Sequence, residues 1–586
     1  MSTVTFKTTL ARAELALNPR IYWLVVIQHA QRAWFFSEMA YPLVTPEGVR
    51  RVEGGLRRLE IVEEARFFQA EAADQSASLE LDLPEELWQR LMRRDLANCT
   101  CEISQLIEGA AYTARALRLV GRIEVPALGA TRETTSLTVT ANVWATTEQI
   151  PDERQRVDGT TWSTVTSLTE QEVGLSYPIV IGRPGLLNDG RIAGSQGVWV
   201  DHTNVDDAGN RLQLRLVIAG HRVAARRVYL CTDENNGAAQ RFEVQHGLDA
   251  RGQTVAYVDA QVSDGTYRLN PDLLVGDGNP THGLGDSAGV DNSPPTNGEY
   301  VPWYVCWDDE SQPSRGGGLT HGEQALQTAV GALAWLMRQS GLPVDLSAFQ
   351  TAEALLRRFT IGMVIDARCR PWDVARERLL PLLPIALQLG PLGVRPILWR
   401  GSALREEVQI RLDVQAHPMI TRASKLISED RDIKNRWIFH WAYSVRTGQY
   451  TETSYTGVGP FVAGDPTSLP HPACVLSQQR YRRADGSPRE EIEELSSVAL
   501  YDKSVARMVI HWRVDAFALA RQQVEYELPS GFNWLELGDA VLLSDVEIGL
   551  EERVGVIDRL ARRSGGGLRV RVTLWEIPRR DIRVSA

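Results

Sequence analysis

The stretch from about Ser497 to Ile577 constrains the chain most, because its apolar period changes from helical to extended within a few residues. Val505, Val509, Trp512, Ala516 and Leu519 follow the three-and-four spacing of one helix face. Asp502 stands just ahead of them, where a carboxylate caps free backbone N–H groups. Beyond Leu519 the period becomes two. Val524, Tyr526 and Leu528 alternate with Gln523, Glu525 and Glu527, as on a half-buried strand. A turn at Pro529-Ser530-Gly531 leads through Phe532 to Asp539 into a strand from Ala540 to Leu543. A last strand carries Leu568, Val570, Val572 and Leu574. A helix laid on a small sheet or partly closed barrel satisfies this pattern.

A chain of 586 residues holds several domains, and 43% hydrophobic with 23% charged residues is ordinary for globular protein. The formal net charge of −11 excludes a nucleic-acid binder held by an overall basic surface. Lysine stands only at Lys7, Lys425, Lys434 and Lys503, with arginine supplying the remaining cations. The cysteines are Cys99, Cys101, Cys231, Cys306, Cys369 and Cys474. Their spacing makes no zinc or iron–sulfur motif, so reduced, scattered thiols are expected. The polar, threonine-rich start from Met1 to Leu10 is not a secretory signal. The apolar run Ile21 to Ile27 is too short to cross a membrane, and no membrane insertion is expected.

Along the chain, strands are expected at Tyr22–Ile27, Leu56–Glu63, Ala77–Leu83, Cys101–Ile107, Leu117–Val125 and Ser136–Trp144, with a short helix after Pro84. Thr146 to Leu175 is polar and reads as a linker or excursion. Short strands separated by turns then run from Ile179 to Leu269 and argue an all-β unit. Gly276 to Gly298 is a long loop. Its Asp277, Asn279, Asp286 and Asp291 offer oxygen ligands, but the spacing fits no EF-hand and the ordinary reading is a solvated turn region. After the triple glycine Gly316-Gly317-Gly318, Thr320 and Glu323 form a capping box for a helix through Leu336. Further helices are expected around Ala348–Leu356 and from Pro371 to Leu383. β-structure returns at Pro396–Trp399, Val408–Leu412, Lys434–Tyr443 and Gln449–Tyr455, with Thr447-Gly448 as a hairpin signal. His471 to Tyr481 reads as loop and strand.

Several stretches together resemble one family. They are Leu87-Trp88-Gln89-Arg90, Leu106-Ile107-Glu108-Gly109 and Leu119-Val120-Gly121-Arg122-Ile123 in the first part, then Tyr177-Pro178 with Gly182-Arg183-Pro184-Gly185. Ser340-Gly341-Leu342-Pro343, Pro371-Trp372-Asp373 and Leu379 to Pro384 follow, and the chain closes with Ala506-Arg507, Trp512 and Leu537-Gly538-Asp539. In that order they resemble the tail hub (baseplate hub or tail-tip) proteins of tailed bacteriophages. The resemblance implies a mainly β fold with α elements (α+β). Tube-type β-barrel domains at 1–145 and 396–586 would flank an inserted all-β domain at 176–312 and a small helical domain at 318–395. It further implies a homotrimer at the distal end of a virion tail, made in the host cytoplasm. Its partners would be a distal tail protein ring, the C-terminus of a tape measure protein and a downstream tip or fibre protein. DNA would pass through an acidic lumen without specific binding.

No catalytic constellation emerges. There is no Gly-x-Ser-x-Gly elbow and no His-Glu-x-x-His. His511 and Asp515 lie four apart on the final helix and read as a surface pair. Asp308-Asp309 and Glu493-Glu494 raise glycoside hydrolysis, but adjacent carboxylates point apart, and solvated positions are expected. Trp512, Trp534 and Trp575 are expected in the core. The expectation is therefore no enzyme, no cofactor and no metal. The alternatives are a tail-associated cell-wall hydrolase, which needs a carboxylate pair or metal in a cleft, and a glycan-binding receptor protein, which commonly carries repeats absent from this sequence.

Overall fold

The computed structural model describes residues 21–29, 32–68, 74–92, 99–108, 111–124, 135–141, 147–157, 174–184, 195–205, 211–223, 227–231, 240–249, 251–263, 266–269, 303–306, 320–321, 324–390, 392–401, 403, 405–427, 433–445, 447–456, 471–565 and 567–575. The fold is mainly β with α elements, arranged as several sheets around a helical middle. No described helix is long and apolar enough to cross a membrane.

Its largest element is a thirteen-stranded sheet drawn from both ends of the chain. The N-terminal strands Arg32–Phe36, Ile21–His29, Thr100–Ile107, Ala116–Ile123, Thr135–Thr140, Asp74–Leu81 and Leu56–Glu64 lie side by side in that order. Leu56–Glu64 then pairs antiparallel with Leu550–Arg563, and the sheet continues through Leu568–Leu574, Gln522–Leu528 and Thr421–Ile427. Ala540–Asp545 lies on the other edge of Leu550–Arg563, with Ile410–Asp413 parallel beside it. The N-terminal strands curl until Ser37 and Phe35 exchange backbone bonds with Glu53, and Leu56 N–H reaches the Ser37 carbonyl at 3.0 Å. That is a bridge rather than a ladder, so strand pairing among the described residues does not close the expected barrel.

Two apolar cores line this sheet. Trp23, Val25, Ile27, Phe36, Leu59, Ile61 and Leu79 fill the N-terminal one. Val524, Tyr526, Val541, Ile557, Leu560, Val570 and Val572 fill the C-terminal one, joined by Phe67 and Phe68 from the N-terminal part. Alternate side chains point to one face of a strand, which is why the period of two read from the sequence maps onto burial.

A third core lies in the middle, where helices Ala329–Gln339, Leu346–Leu355 and Lys503–Phe517 meet the aromatic strand Arg436–Ser444. Asp502 caps the last of these helices, its Oδ1 accepting Ser504 N–H at 2.7 Å. The helix does not simply cover the C-terminal sheet. Val505, Val509, Ile510 and Val514 face the middle core, while Ala516 packs with the C-terminal core and Trp512 and Phe517 touch both.

Several expectations are corrected. The helix after the triple glycine begins at Ala329, not near Thr320, because 320–321 pairs with 324–325 as a short hairpin. Thr328 is its cap, accepting Gly331 N–H at 3.1 Å. The expected helix from Pro371 to Leu383 is a short α-turn, then a π-turn over Ala375–Leu379 and a 3₁₀ turn over Leu380–Leu382. Pro381 lacks the N–H that regular helix would need. Pro472–Arg480 is a helix, not a strand: Pro472 sits at its first position, and His471 Nδ1 accepts Ala473 N–H at 3.3 Å. Gly362–Ile365, which carried no strand expectation, pairs with Ile179–Gly182.

A separate eight-stranded sheet is built from strands between Ser195 and Cys306, which fall in sequence between the two strands of that ladder.

Candidate functional site at the seam between the two ends of the chain

The seam is the pairing of Leu56–Glu64 with Leu550–Arg563. Its register sets Arg559 opposite Glu64, Leu560 opposite Glu63 and Arg563 opposite Glu60. Glu60 and Glu64 therefore meet Arg563 and Arg559 directly across the strands, while Glu63 and Arg562, opposite Leu560 and Ile61, pair diagonally on the other face.

On the outer face this gives a lattice of alternating charge. Arg563 Nε donates to Glu60 Oε1 at 2.9 Å and lies 3.7 Å from Glu527, to which Arg569 donates at 2.6 Å. Arg559 lies 3.9 Å from Glu64 and 3.7 Å from Glu525. Arg571 donates from Nε to Asp558 Oδ1 at 2.9 Å and from Nη2 to Glu64 Oε1 at 3.0 Å. Asp558 sits at a bulge where the register of Leu550–Arg563 shifts. Its carbonyl accepts Ala65 N–H and its carboxylate accepts the Thr573 hydroxyl at 2.8 Å. Burial pushes the Asp558 carboxyl up, and the neighbouring Arg571 guanidinium opposes that rise.

On the inner face Glu63 and Arg562 form an ion pair, both nearly excluded from solvent. Glu63 also accepts the Gln388 amide at 2.8 Å, and Arg562 donates to the Leu535 carbonyl. Beside the seam a cleft of about 210 Å³ lies between Phe68, Trp399, Phe517 and Trp575, with Asp558 and Arg571 at one wall.

Arg513 ties the helix to this region. Its Nη1 donates to Glu493 at 2.8 Å, and its Nη2 donates to the Phe68 and Pro381 carbonyls.

The residues weighed as chemistry from the sequence lie elsewhere. His511 packs 5.4 Å from the His471 ring, with Arg507 Nε 3.3 Å from its Nε2. Cys474 lies on the neighbouring helix, buried, and burial with the nearby Asp515 carboxylate pushes its thiol up to about 12. It is therefore a thiol at neutral pH and no nucleophile.

Glu493 and Glu494 do point apart, but Glu493 is only partly exposed: it accepts from Arg513 and from Trp437 Nε1. Glu494 meets His440 at 3.0 Å on the outer side. Trp575 is buried edge-on against Trp399, Trp512 stacks on Phe359, and Trp534 is half-buried beside the C-terminal core. Among the described residues no three His, Cys, Asp or Glu side chains come together to hold a metal. Asp308, Asp309 and the loop carrying Asp277, Asn279, Asp286 and Asp291 lie outside the described residues.

Sequence reading missed the seam residues because Leu550–Arg563 is rich in charge. Only the acidic cluster at 60, 63 and 64 and the basic cluster at 559, 562 and 563 hinted at them.

No family model and no curated protein matches the chain. Among solved structures it is similar to the tail protein from Neisseria meningitidis MC58, with 7% identity, a TM-score of 0.33 and coverage of 94% of this chain and 96% of that one. It is also similar to the prophage MuSo2 43 kDa tail protein from Shewanella oneidensis, with 8% identity, a TM-score of 0.32 and coverage of 94% and 98%. A third is a chain of the virion of a native gene transfer agent particle, with 15% identity, a TM-score of 0.33 and coverage of 70% and 87%. TM-scores of this size fall below the level that marks a shared fold.

Proposed function

We propose that the chain is a structural subunit of a phage-type virion tail, acting as a homotrimeric hub at the distal end of the tail tube. The observation that carries this reading is the shared sheet: the two ends of the chain each supply a β-unit, and the seam fuses them side by side. Among the described residues the terminal strands Thr421–Ile427 and Ile410–Asp413 each pair on one edge, and Arg32–Phe36 adds only the bridge to Glu53 on its second edge. Exposed edges of this kind invite pairing with another chain. Three copies, each bringing two units, would build a ring of six and match a six-fold tube above it.

The charged outer face of the seam suits a channel lining. Its arginines are held by carboxylates, so they offer passing DNA phosphates little grip. In this reading the lining at this face is charge-balanced rather than acidic. Within this reading the protein catalyses nothing and needs no cofactor. It joins the distal tail protein ring above, with the tape measure C-terminus inside, to a tip or fibre protein below.

Light scattering on the purified chain tests the reading. A mass three times 65.3 kDa, followed by images of a threefold ring with an open centre, is the expected result. A monomer that stays a monomer when concentrated and when mixed with the ring partner would overturn it.

A further inference from the structure

The eight-stranded sheet meets the rest of the chain at a small junction, and two histidines close it. His221 follows the strand Arg211–Ala219. Its Nε2 accepts Val180 N–H at 3.0 Å, and its Nδ1 lies 3.0 Å from the Arg222 carbonyl oxygen, where it serves only as donor. Those two bonds select the neutral ring with its proton on Nδ1. His246, in the short strand Gln245–Leu248 and nearer to solvent, accepts Val223 N–H at 3.2 Å on Nε2. Val180 belongs to the ladder with Gly362–Ile365, so the His221 bond runs from the eight-stranded sheet to the body of the chain, while the His246 bond to Val223 stays within the sheet and braces the loop that carries His221. Gly220 N–H to the Pro178 carbonyl at 2.9 Å and the Gln155 amide to the Gly220 carbonyl at 2.7 Å complete the junction.

We propose that His221, braced by the His246–Val223 bond, forms a pH-sensitive latch that holds the eight-stranded sheet against Ile179–Gly182 while neutral and releases it on protonation. A proton added to Nε2 sets a donor against a backbone donor. Both bonds are then lost, and the Val180 and Val223 amides are left without acceptors.

The surroundings favour the neutral rings. Burial pushes His221 down to about 4, and the His246 ring nearby adds to the effect. His246 is lowered by burial and then by the Arg222 guanidinium. The packed elements carry Asp152, Glu153, Arg154 and Arg156 on one side, Arg183 and Asp366 beside the ladder, and Glu243 and Asp249 flanking His246. Glu153 is 3.8 Å from Arg156, and Asp249 Oδ1 accepts the Arg251 and Gln253 N–H groups. The described bonds of the two rings go to backbone groups and to none of these carboxylates.

The sign follows. The latched state holds its histidines below their ordinary value of about 6.5, so the open state binds more protons between the two values. The latch is firmest above about pH 6.5 and weakens as the pH falls towards 4.

Hydrogen exchange of the intact chain, followed by mass spectrometry at pH 7.5 and 5.0 and corrected for intrinsic rates, tests this. Peptides spanning 176–184 and 219–224 are expected to lose about tenfold or more of their protection at pH 5.0. The H221Q/H246Q variant, whose amide oxygens accept without titrating, is expected to keep it. Equal protection of the native chain at both pH values, or the same loss in the variant, would overturn the latch. Should the variant not fold, exchange of the ring C2 protons in the native chain decides: a His221 value below the ordinary 6.5 supports it, and a value of 6.5 or higher overturns it.

Discussion

Glu63 and Arg562 form a buried ion pair between strands whose sequence positions lie at opposite ends of the chain. The pair is seated in the inner face of the seam, with Gln388 and the Leu535 carbonyl taking further bonds. A buried charge is tolerable only when its partner stays, so the seam is most sensitive to losing one member.

Removing one side should therefore cost more than removing both. R562M is expected to destabilise the sheet by about 3–5 kcal/mol, and the double variant E63L/R562M by clearly less. Thermal unfolding of the three proteins checks this. An additive double variant would show that the pair is not coupled.

Arg513 should resist the conservative exchange to lysine. One guanidinium serves Glu493, Phe68 and Pro381 together, and an ammonium lacks the planar fork to reach all three. R513K is expected to lose about 2–3 kcal/mol, read by chemical denaturation. A native-like midpoint would mean the two carbonyls find other donors.

Asp545 is fully buried and accepts both from Arg422, at 2.9 Å, and from the Tyr526 hydroxyl, at 3.0 Å. Burial and the Asp545 carboxylate push the phenol up, so Tyr526 stays a donor through alkaline pH. Y526F removes one of these donors and is expected to cost about 1–2 kcal/mol in thermal melts. No shift in melting temperature would mean that water replaces the hydroxyl.

Two glycines with positive φ separate crowding from backbone strain. A Cβ at Gly182 (φ +69°) would land on the Ile361 carbonyl oxygen, whereas one at Gly448 (φ +64°) meets open space. G448A should cost about 1–2 kcal/mol, the strain of a left-handed residue, and G182A distinctly more. Comparable melting temperatures for the two would contradict the close approach at 182.

Thiol reactivity should follow burial. At pH 8 a thiol held at about 12 is ionised only on the order of one part in ten thousand. Mapped alkylation of the folded chain should spare Cys99, Cys101 and Cys474 and mark the half-buried Cys369 slowly, because burial raises its thiol too. Rapid labelling of Cys474 in folded protein would disprove the packing described for it.

Local pattern settled much of this molecule. The helix Lys503–Phe517 with its Asp502 cap, the strands Gln522–Leu528 and Leu568–Leu574, and the hairpin at Gly448 all follow from periodicity and turn chemistry within a few residues. These signals are complete in short windows, because the groups that satisfy them are close in sequence. Leu550–Arg563 was not legible in that way. Its Asp558 and Arg562 are buried charges whose partners lie on other strands, so the alternation that marks a strand is broken where the strand matters most. The helix Pro472–Arg480 and the strand Gly362–Ile365 were likewise decided by distant neighbours.

The sequence by itself determined which segments bend, which extend and which faces are apolar. Only the tertiary structure decided that the two ends of the chain share one sheet. The free energy of that choice comes mainly from burying apolar side chains such as Phe67 and Phe68 against partners some five hundred residues away, while the charge pairs across the seam fix which strands meet.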